Sequence, residues 1–378
     1  MRFLLGFAGG AGHFRPLLPL ARALAARGHD IRFAAQQGML ATVREAGFAA
    51  TESGGDTLLA AEARRPLLVL DPAREERAVT QGYAGRVAAA RAPAIAALIA
   101  AWRPDALLCD EMDFGAMLAA EQAGLPRAVL GVIAAGRLSR PALVAPALAP
   151  LRAALGLPPE PGAPPLWLNP FPPALRDPDC PLPAGALSFR PDAPPASAPP
   201  PWLEALPRPL LHLTLGTVFN QESGDLFARL LAALRGLPAG AVLATGPQID
   251  PAELGAPPPG LRVERFVDQA MLLPRCALAV CHAGSGTVAA SLAAGVPLLL
   301  LPMGADQPDN AARCVALGVA EALDPLAATQ VALHQAMQRL LRSAPHRAAA
   351  RRLAAGFAAL PGQETALARL EALARRAA

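Results

Sequence analysis

Two of the six histidines in this chain stand beside glycine-rich turns, and their neighbours point to two different kinds of chemistry. His282 closes the apolar run Ala277–Cys281. Gly284-Ser285-Gly286-Thr287 follow it and open a helical stretch, Val288–Ala294, that Gly295 stops. A strand, a glycine-rich turn and a helix start make an anion site, because the first backbone N–H groups of a helix lack partners and its dipole is positive there. The hydroxyls of Ser285 and Thr287 beside those amides suit a phosphate or diphosphate. The next strand delivers Asp306 and Gln307, an acid–amide pair able to hold hydroxyl groups, to the same sheet edge.

His13 follows the strand-like run Arg2–Ala8 and the turn Gly9–Gly12. Pro16 comes next, then a helix over Leu17–Arg27 with Leu17, Leu20, Ala21, Leu24 and Ala25 on one face. Gly28 ends it, and Asp30–Ala35 reads as a second strand. This βαβ opening predicts a parallel sheet with a right-handed crossover. It lacks the dinucleotide fingerprint, since Arg15 occupies the third glycine position. The glycines would instead let a ligand approach the backbone beside His13. Further on, Ala106–Cys109 reads as a strand with Asp110, Glu111 and Asp113 at its carboxyl end, where open α/β sheets bind ligands. Taken alone, His13 could equally be a capping or packing residue.

The elements that must position these groups fall into two α/β sets, and 378 residues leave room for two domains. In the first, residues 51–80 read as an irregular connection, Tyr83–Trp102 and Phe114–Ala123 as helices, and Ala128–Val132 as a strand. Residues 134–190 are proline-rich and apolar, with Trp167 and Phe171 among them, which suits loops lining a pocket for an apolar molecule; plain surface loops are the alternative. Pro191–Pro201 is a semi-rigid proline spacer. The second set has strands at Leu210–Leu215, Ala241–Thr245 and Leu261–Phe266, helices at Leu226–Leu234 and Ala270–Pro274, and a helical tail from Val331. Asp177-Pro178-Asp179 has the D-x-D form of metal-dependent transferases, but its proline loop reads as a turn. Ser285 lacks the flanking glycines of a hydrolase elbow, with Ala283 and Thr287 in their places.

Composition narrows the function classes. The chain is 53% hydrophobic, largely through alanine, and 4% aromatic. Its 34 basic residues are all arginine, and the net charge of +4 is dispersed with no basic block among aromatics, which argues against nucleic acid. Cys109, Cys180, Cys276, Cys281 and Cys314 form no CxxC pair and suit reduced thiols in the cytoplasm. Arg2–Ala8 is too short for a signal peptide. No apolar run reaches the roughly 18–20 residues of a membrane span.

Gly12-His13-Phe14-Arg15-Pro16-Leu17 and His282–Asn310, in this order and separation, resemble the signatures of the inverting GT-B glycosyltransferases, most closely the bacterial enzymes that attach sugars to antibiotics. The resemblance spans nearly the whole chain. It implies two Rossmann-like, doubly wound α/β domains facing each other across a cleft: an acceptor domain over 1–190, the proline linker at 191–206, a nucleotide-sugar domain over 207–360, and a terminal helix, 361–378, that could pack back on the first. It also implies a reaction, transfer of a sugar from a nucleoside diphosphate to a hydroxyl of a hydrophobic natural product, with inversion and without a metal or other cofactor. His13 is then similar to the family's general base and Asp110 to its acidic partner, with Asp113 as fallback. Gly12, Phe14, Asp113 and Phe114 fall on the acceptor side. His282, Gly284, Ser285, Gly286 and Thr287 resemble the diphosphate cradle, and Thr217 a further hydroxyl beside it. Val267 and Gln269 match the segment that holds the nucleobase, although Asp268 stands where the family usually has proline. Asp306 and Gln307 resemble the pair that recognises sugar hydroxyls.

Many users of uridine diphosphate sugars have Glu where this chain has Ala290, which cannot hold ribose hydroxyls. That departure points to a thymidine diphosphate deoxysugar. A nucleotide-sugar epimerase and a non-catalytic sugar-nucleotide-binding protein are the alternative classes. The expected partners are the two small molecules, with a homodimer left open.

Overall fold

The computed structural model describes residues 1–56, 65–193 and 196–375. Among them, residues 1–56, 72–192 and 360–375 form one compact unit, and 65–71, 193 and 196–359 a second.

In the first unit, β1 (Arg2–Gly6), β2 (Asp30–Ala35), β3 (Ala49–Glu52), β4 (Ala106–Asp110), β5 (Arg127–Leu130), β6 (Leu166–Asn169) and β7 (Leu187–Ser188) form a parallel sheet in the order β3-β2-β1-β4-β5-β6-β7. The central strands are almost unbroken apolar runs because helices cover both faces; every residue of β4 is buried. Gly6 of β1 lies opposite Cys109 of β4. The chain leaves β1 toward β2 on one side, while β4 starts the succession on the other, so a topological switch point opens at their carboxyl ends.

The second unit repeats the device. Its strands β8 (Leu210–Thr214), β9 (Gly240–Ala244), β10 (Leu261–Glu264), β11 (Cys276–Cys281), β12 (Leu298–Leu300) and β13 (Ala320–Ala322) run parallel in the order β10-β9-β8-β11-β12-β13. The switch point lies between β8 and β11, where Thr214 faces Cys281.

The first core packs Phe3, Leu5, Phe7, Phe14, Leu20 and Phe33 against Ala366, Leu367, Leu370 and Ala374 of the last helix, Gln363–Arg375. Glu371 secures that helix to Arg27 at 2.9 Å and to His29 at 3.1 Å. The second core is built on Leu211, Leu213, Val280 and Leu299 with Leu333, Met337 and Leu340 from the helix Gln330–Arg342.

Three expectations require correction. The connection at 51–80 is not irregular throughout: helix begins at Pro72 and continues to Trp102, while residues 57–64 lie outside the described residues. By length and composition this helix could cross a membrane, but it packs in the core of the first unit and carries a buried, ion-paired arginine. Residues 134–190 are not simply loops either. Pro141–Ala154 is a helix that accommodates Pro146 and Pro150, with Arg152 anchored to Glu121 at 2.8 and 3.0 Å. Finally, the unit boundary falls earlier than the expected linker end, since Ser197 is already fastened to Asp268 of the second unit by two bonds of 2.8 Å. Residues 194–195 and 376–378 lie outside the described set.

All five cysteines are free thiols. Burial pushes Cys276, Cys281 and Cys314 up to about 12, which makes them poor nucleophiles.

Candidate active site

At the first switch point the turn after β1 places His13 in the short helix Ala11–Phe14. Its Nδ1 lies 3.0 Å from Oδ2 of Asp110, the last residue of β4. Ala8 N–H also donates to Oδ2 at 3.2 Å, and Met112 N–H to Oδ1 at 2.7 Å, so this fully buried carboxylate is fixed on three sides. A carboxylate only accepts, which assigns the neutral imidazole's proton to Nδ1 and makes Nε2 the unprotonated nitrogen. Gly9 is required here: its φ of 136° is left-handed, and a Cβ would overlap the imidazole. The result is an imidazole held in one tautomer.

The three acids at the carboxyl end of β4 go to three destinations. Asp110 serves His13. Glu111 accepts from the amides of Val132 at 2.6 Å and Ile133 at 2.7 Å, and from the Ser139 hydroxyl; burial raises its pKa despite the nearby Arg176. Asp113 caps the helix Phe114–Gln122 and forms a two-pronged ion pair with Arg91, at 2.9 and 2.6 Å. Both partners are fully buried. Burial works to lower the Arg91 pKa, but Asp113 prevails and holds it above its usual value. Arg91 also donates to Ser53 Oγ at 2.8 Å and to the carbonyl of Ala34 at 3.2 Å.

At the second switch point the helix Ser285–Ala293 begins directly after His282 and two further residues. Its N-cap is Gly284, which supplies no side-chain bond to the first amides. Gly286 faces open space. Ala283 and Ala305 are held at φ values of 66° and 51°, a costly left-handed backbone for residues with a Cβ, and they sit just before the helix start and just before Asp306. Nδ1 of His282 is sealed from solvent with no hydrogen-bond partner among the described residues. Burial pushes its pKa down to about 4, the adjacent Thr214 backbone offsetting part of the effect, so the ring is neutral. Cβ atoms at Gly216 or Gly284 would crowd its Nε2, so these two glycines keep that edge clear. Ser285 Oγ donates to Asp306 Oδ2 at 2.6 Å, while Asn310 Nδ2 donates to that oxygen at 2.7 Å and to Ser285 Oγ at 3.0 Å.

The chain that carries these two groups is similar, over nearly its whole length, to known proteins. The C-terminal domain model of erythromycin biosynthesis protein CIII-like proteins matches residues 228–373. An L-demethylnoviosyl transferase of Streptomyces niveus is 34% identical over 363 residues, covering 94% of this chain and 93% of the relative. The chain belongs to the glycosyltransferases of antibiotic biosynthesis. Solved structures agree. The glycosyltransferase SnogD from Streptomyces nogalater superposes with a TM-score of 0.78 at 27% identity, covering 99% of each chain. The glycosyltransferase VinC, in complex with dTDP, gives 0.79 at 25% identity over 100% of each chain. These neighbours are GT-B enzymes, and the relatives are transferases, not epimerases.

Within this glycosyltransferase most of the residues singled out from sequence lie at the two switch points. Gly12 is in the short helix that carries His13. Thr217 follows the β8 turn, and its carbonyl accepts from Gln248 at 2.9 Å. Gln269 begins the helix Gln269–Leu272 and lies 3.4 Å from His212, while Val267 is buried beneath it. Asp268 is explained by its own bonds: it caps that helix and holds Ser197, and those bonds lower its pKa. Of the acceptor-side residues, Asp113 is paired with Arg91, and Phe14 is a core residue only 2% exposed, packed on Phe7 and Phe33. Phe114 is also buried, against Met112 and Val132. On the donor side Gln307 is 2% exposed, its Oε1 accepting from the Met303 amide at 2.8 Å. Asp306 is joined to Ser285 and Asn310. Arg91 and Tyr83 were missed. An arginine among alanines in a helix gives no local sign of burial, whereas a lone tyrosine opposite a glycine-rich histidine loop could have been noticed.

Proposed function

We propose that this glycosyltransferase moves a deoxysugar from thymidine diphosphate to a hydroxyl of an apolar natural product, inverting the anomeric carbon without a metal ion. The observation that carries the reading is the 3.0 Å contact from His13 Nδ1 to Asp110, which leaves Nε2 as the base. Nε2 takes the proton of the acceptor hydroxyl as its oxygen attacks the anomeric carbon. The bond from that carbon to the diphosphate breaks, its electron pair leaves with the phosphate, and a single displacement inverts the centre. Asp110 steadies the imidazolium that forms. The amides at the start of Ser285–Ala293 receive the charge that grows on the diphosphate, with His282 as a neutral partner.

Thymidine is favoured because Ala290, on that same helix, offers no acceptor for a 2′-hydroxyl, and because the related VinC was solved with dTDP. The five unpaired thiols support a cytoplasmic enzyme. The test pairs a product assay by mass spectrometry, over a panel of hydroxylated apolar acceptors, with calorimetry of thymidine diphosphate binding. His13→Ala should abolish product and leave nucleotide affinity intact. Turnover at the parent rate in that variant would overturn the role of His13. Tighter binding of uridine diphosphate than of thymidine diphosphate would overturn the donor assignment.

A further inference from the structure

Ten residues of the long helix, Ala78–Val87, are wound as a π-helix. π-Turns are rare, occur mostly as single-turn bulges, and concentrate at functional sites. A run of ten therefore asks for a reason. The segment contains Thr80, Gly82, Tyr83 and Gly85, all weaker helix formers than the alanines that follow. Its wider winding sets Val79 and Ala84 together in the cluster around Met112 and Phe114. It also sets Tyr83, the chain's one tyrosine, with its ring centroid 6.0 Å from that of His13 and the planes inclined by 29°.

The contact completes a clamp. Asp110 holds the imidazole at Nδ1, the Gly9 backbone lies close against its Cδ2 edge, and Tyr83 stacks on the ring. Aromatic pairs attract at this separation. A ring so bounded has little freedom to turn about its Cβ–Cγ bond, which matters because only Nε2 can serve as the base.

We infer that Tyr83, presented by the π-helical segment, is a positioning residue that fixes the direction of the His13 base. The inference rests on the proposed transfer reaction, since it is that reaction's acceptor hydroxyl that Nε2 must meet. Misplacing a catalytic group by about 1 Å can cost on the order of 100-fold in rate. Tyr83→Leu keeps apolar volume but removes the ring, and Tyr83→Phe keeps the ring. The expected result for Tyr83→Leu is a kcat lower by about 10- to 100-fold, with the donor KM and the melting temperature close to the parent values. Tyr83→Phe should restore most of the rate. Equal impairment of the two variants, or parent kcat in Tyr83→Leu, overturns the inference.

A second measurement is independent of turnover. Enzyme labelled with ring-carbon-13 tyrosine gives one tyrosine spin system, and His13→Ala should shift it by removing the stacked ring. An unmoved resonance shows that the contact is absent and removes the inference while leaving the transfer reaction standing. If the parent enzyme transfers no sugar, the proposed function fails even where the resonance moves.

Discussion

The two switch points use the same architecture for opposite electrostatic ends. Each lies where the strand order turns back, between β1 and β4 and between β8 and β11, and each presents a histidine beside a glycine turn. At the first, the histidine has a buried carboxylate at 3.0 Å, two amides hold that carboxylate, and an ion pair lies one turn beyond. At the second, the histidine has no partner at Nδ1 among the described residues, burial keeps it neutral, and the carboxylate of Asp306 is joined to the helix start through Ser285 and to Asn310. In the proposed reaction the group assigned to accept a proton has a counter-charge. The group assigned to the anion is kept neutral, and the positive potential comes instead from backbone amides, which cannot titrate.

Asp110→Asn should break this contrast most severely. It removes the carboxylate that fixes the tautomer, and kcat should fall by about 10³- to 10⁴-fold while thymidine diphosphate binds as before in calorimetry. Asp113→Asn tests the neighbouring acid, and its effect should be on folding. Leaving Arg91 uncompensated in the core should cost about 3–5 kcal/mol in a denaturant titration, with kcat per folded molecule much less changed than in Asp110→Asn. If the two variants behaved alike, the division of labour among these acids would be wrong. The glycine pair sharpens the comparison further. Gly9→Ala should reduce kcat without weakening the nucleotide, whereas Gly216→Ala, which pushes against His282, should weaken the nucleotide on the order of 10-fold, about 1.4 kcal/mol.

The pH response should differ in kind. His282 and the buried His212 both have folded-state pKa values lowered to about 4 from 6.5. The unfolded chain therefore takes up protons that the folded chain refuses, and stability should decline as pH falls from about 6.5 toward 4, by about 3 kcal/mol at most for each histidine. Above that window these two groups contribute no pH dependence. His212→Asn should reduce the slope in thermal melts. The smallest effect concerns the donor: Ala290→Glu should shift the preference from thymidine toward uridine diphosphate by several-fold in competition binding, and an unchanged ratio would remove Ala290 from the argument.

Much of this was legible before any coordinates. Buried parallel strands are continuous apolar runs, so β1, β4, β8 and β11 could be placed within a residue or two, and their carboxyl ends locate His13, Asp110 and His282. The helix Leu226–Leu234 was located to the residue. What stayed hidden depended on packing partners. Pro146 and Pro150 look like loop residues, yet the helix Pro141–Ala154 tolerates them because other contacts hold it. Pro72 reads as a break but begins a helix, where a missing amide costs little. The choice between Asp110 and Asp113 could not be made from spacing, since only the position of Arg91 decides it.

The docking of Gln363–Arg375 into the first core bears on how the protein is made. Ribosomal synthesis delivers the β1–β7 region early, but the four apolar side chains that close its core arrive only after the whole β8–β13 region has emerged. The earlier half must therefore wait, incompletely sealed, while the later half condenses. A nascent chain stalled before Gln363 should present sticky surface to chaperones, although His13 and Asp110 have already been translated.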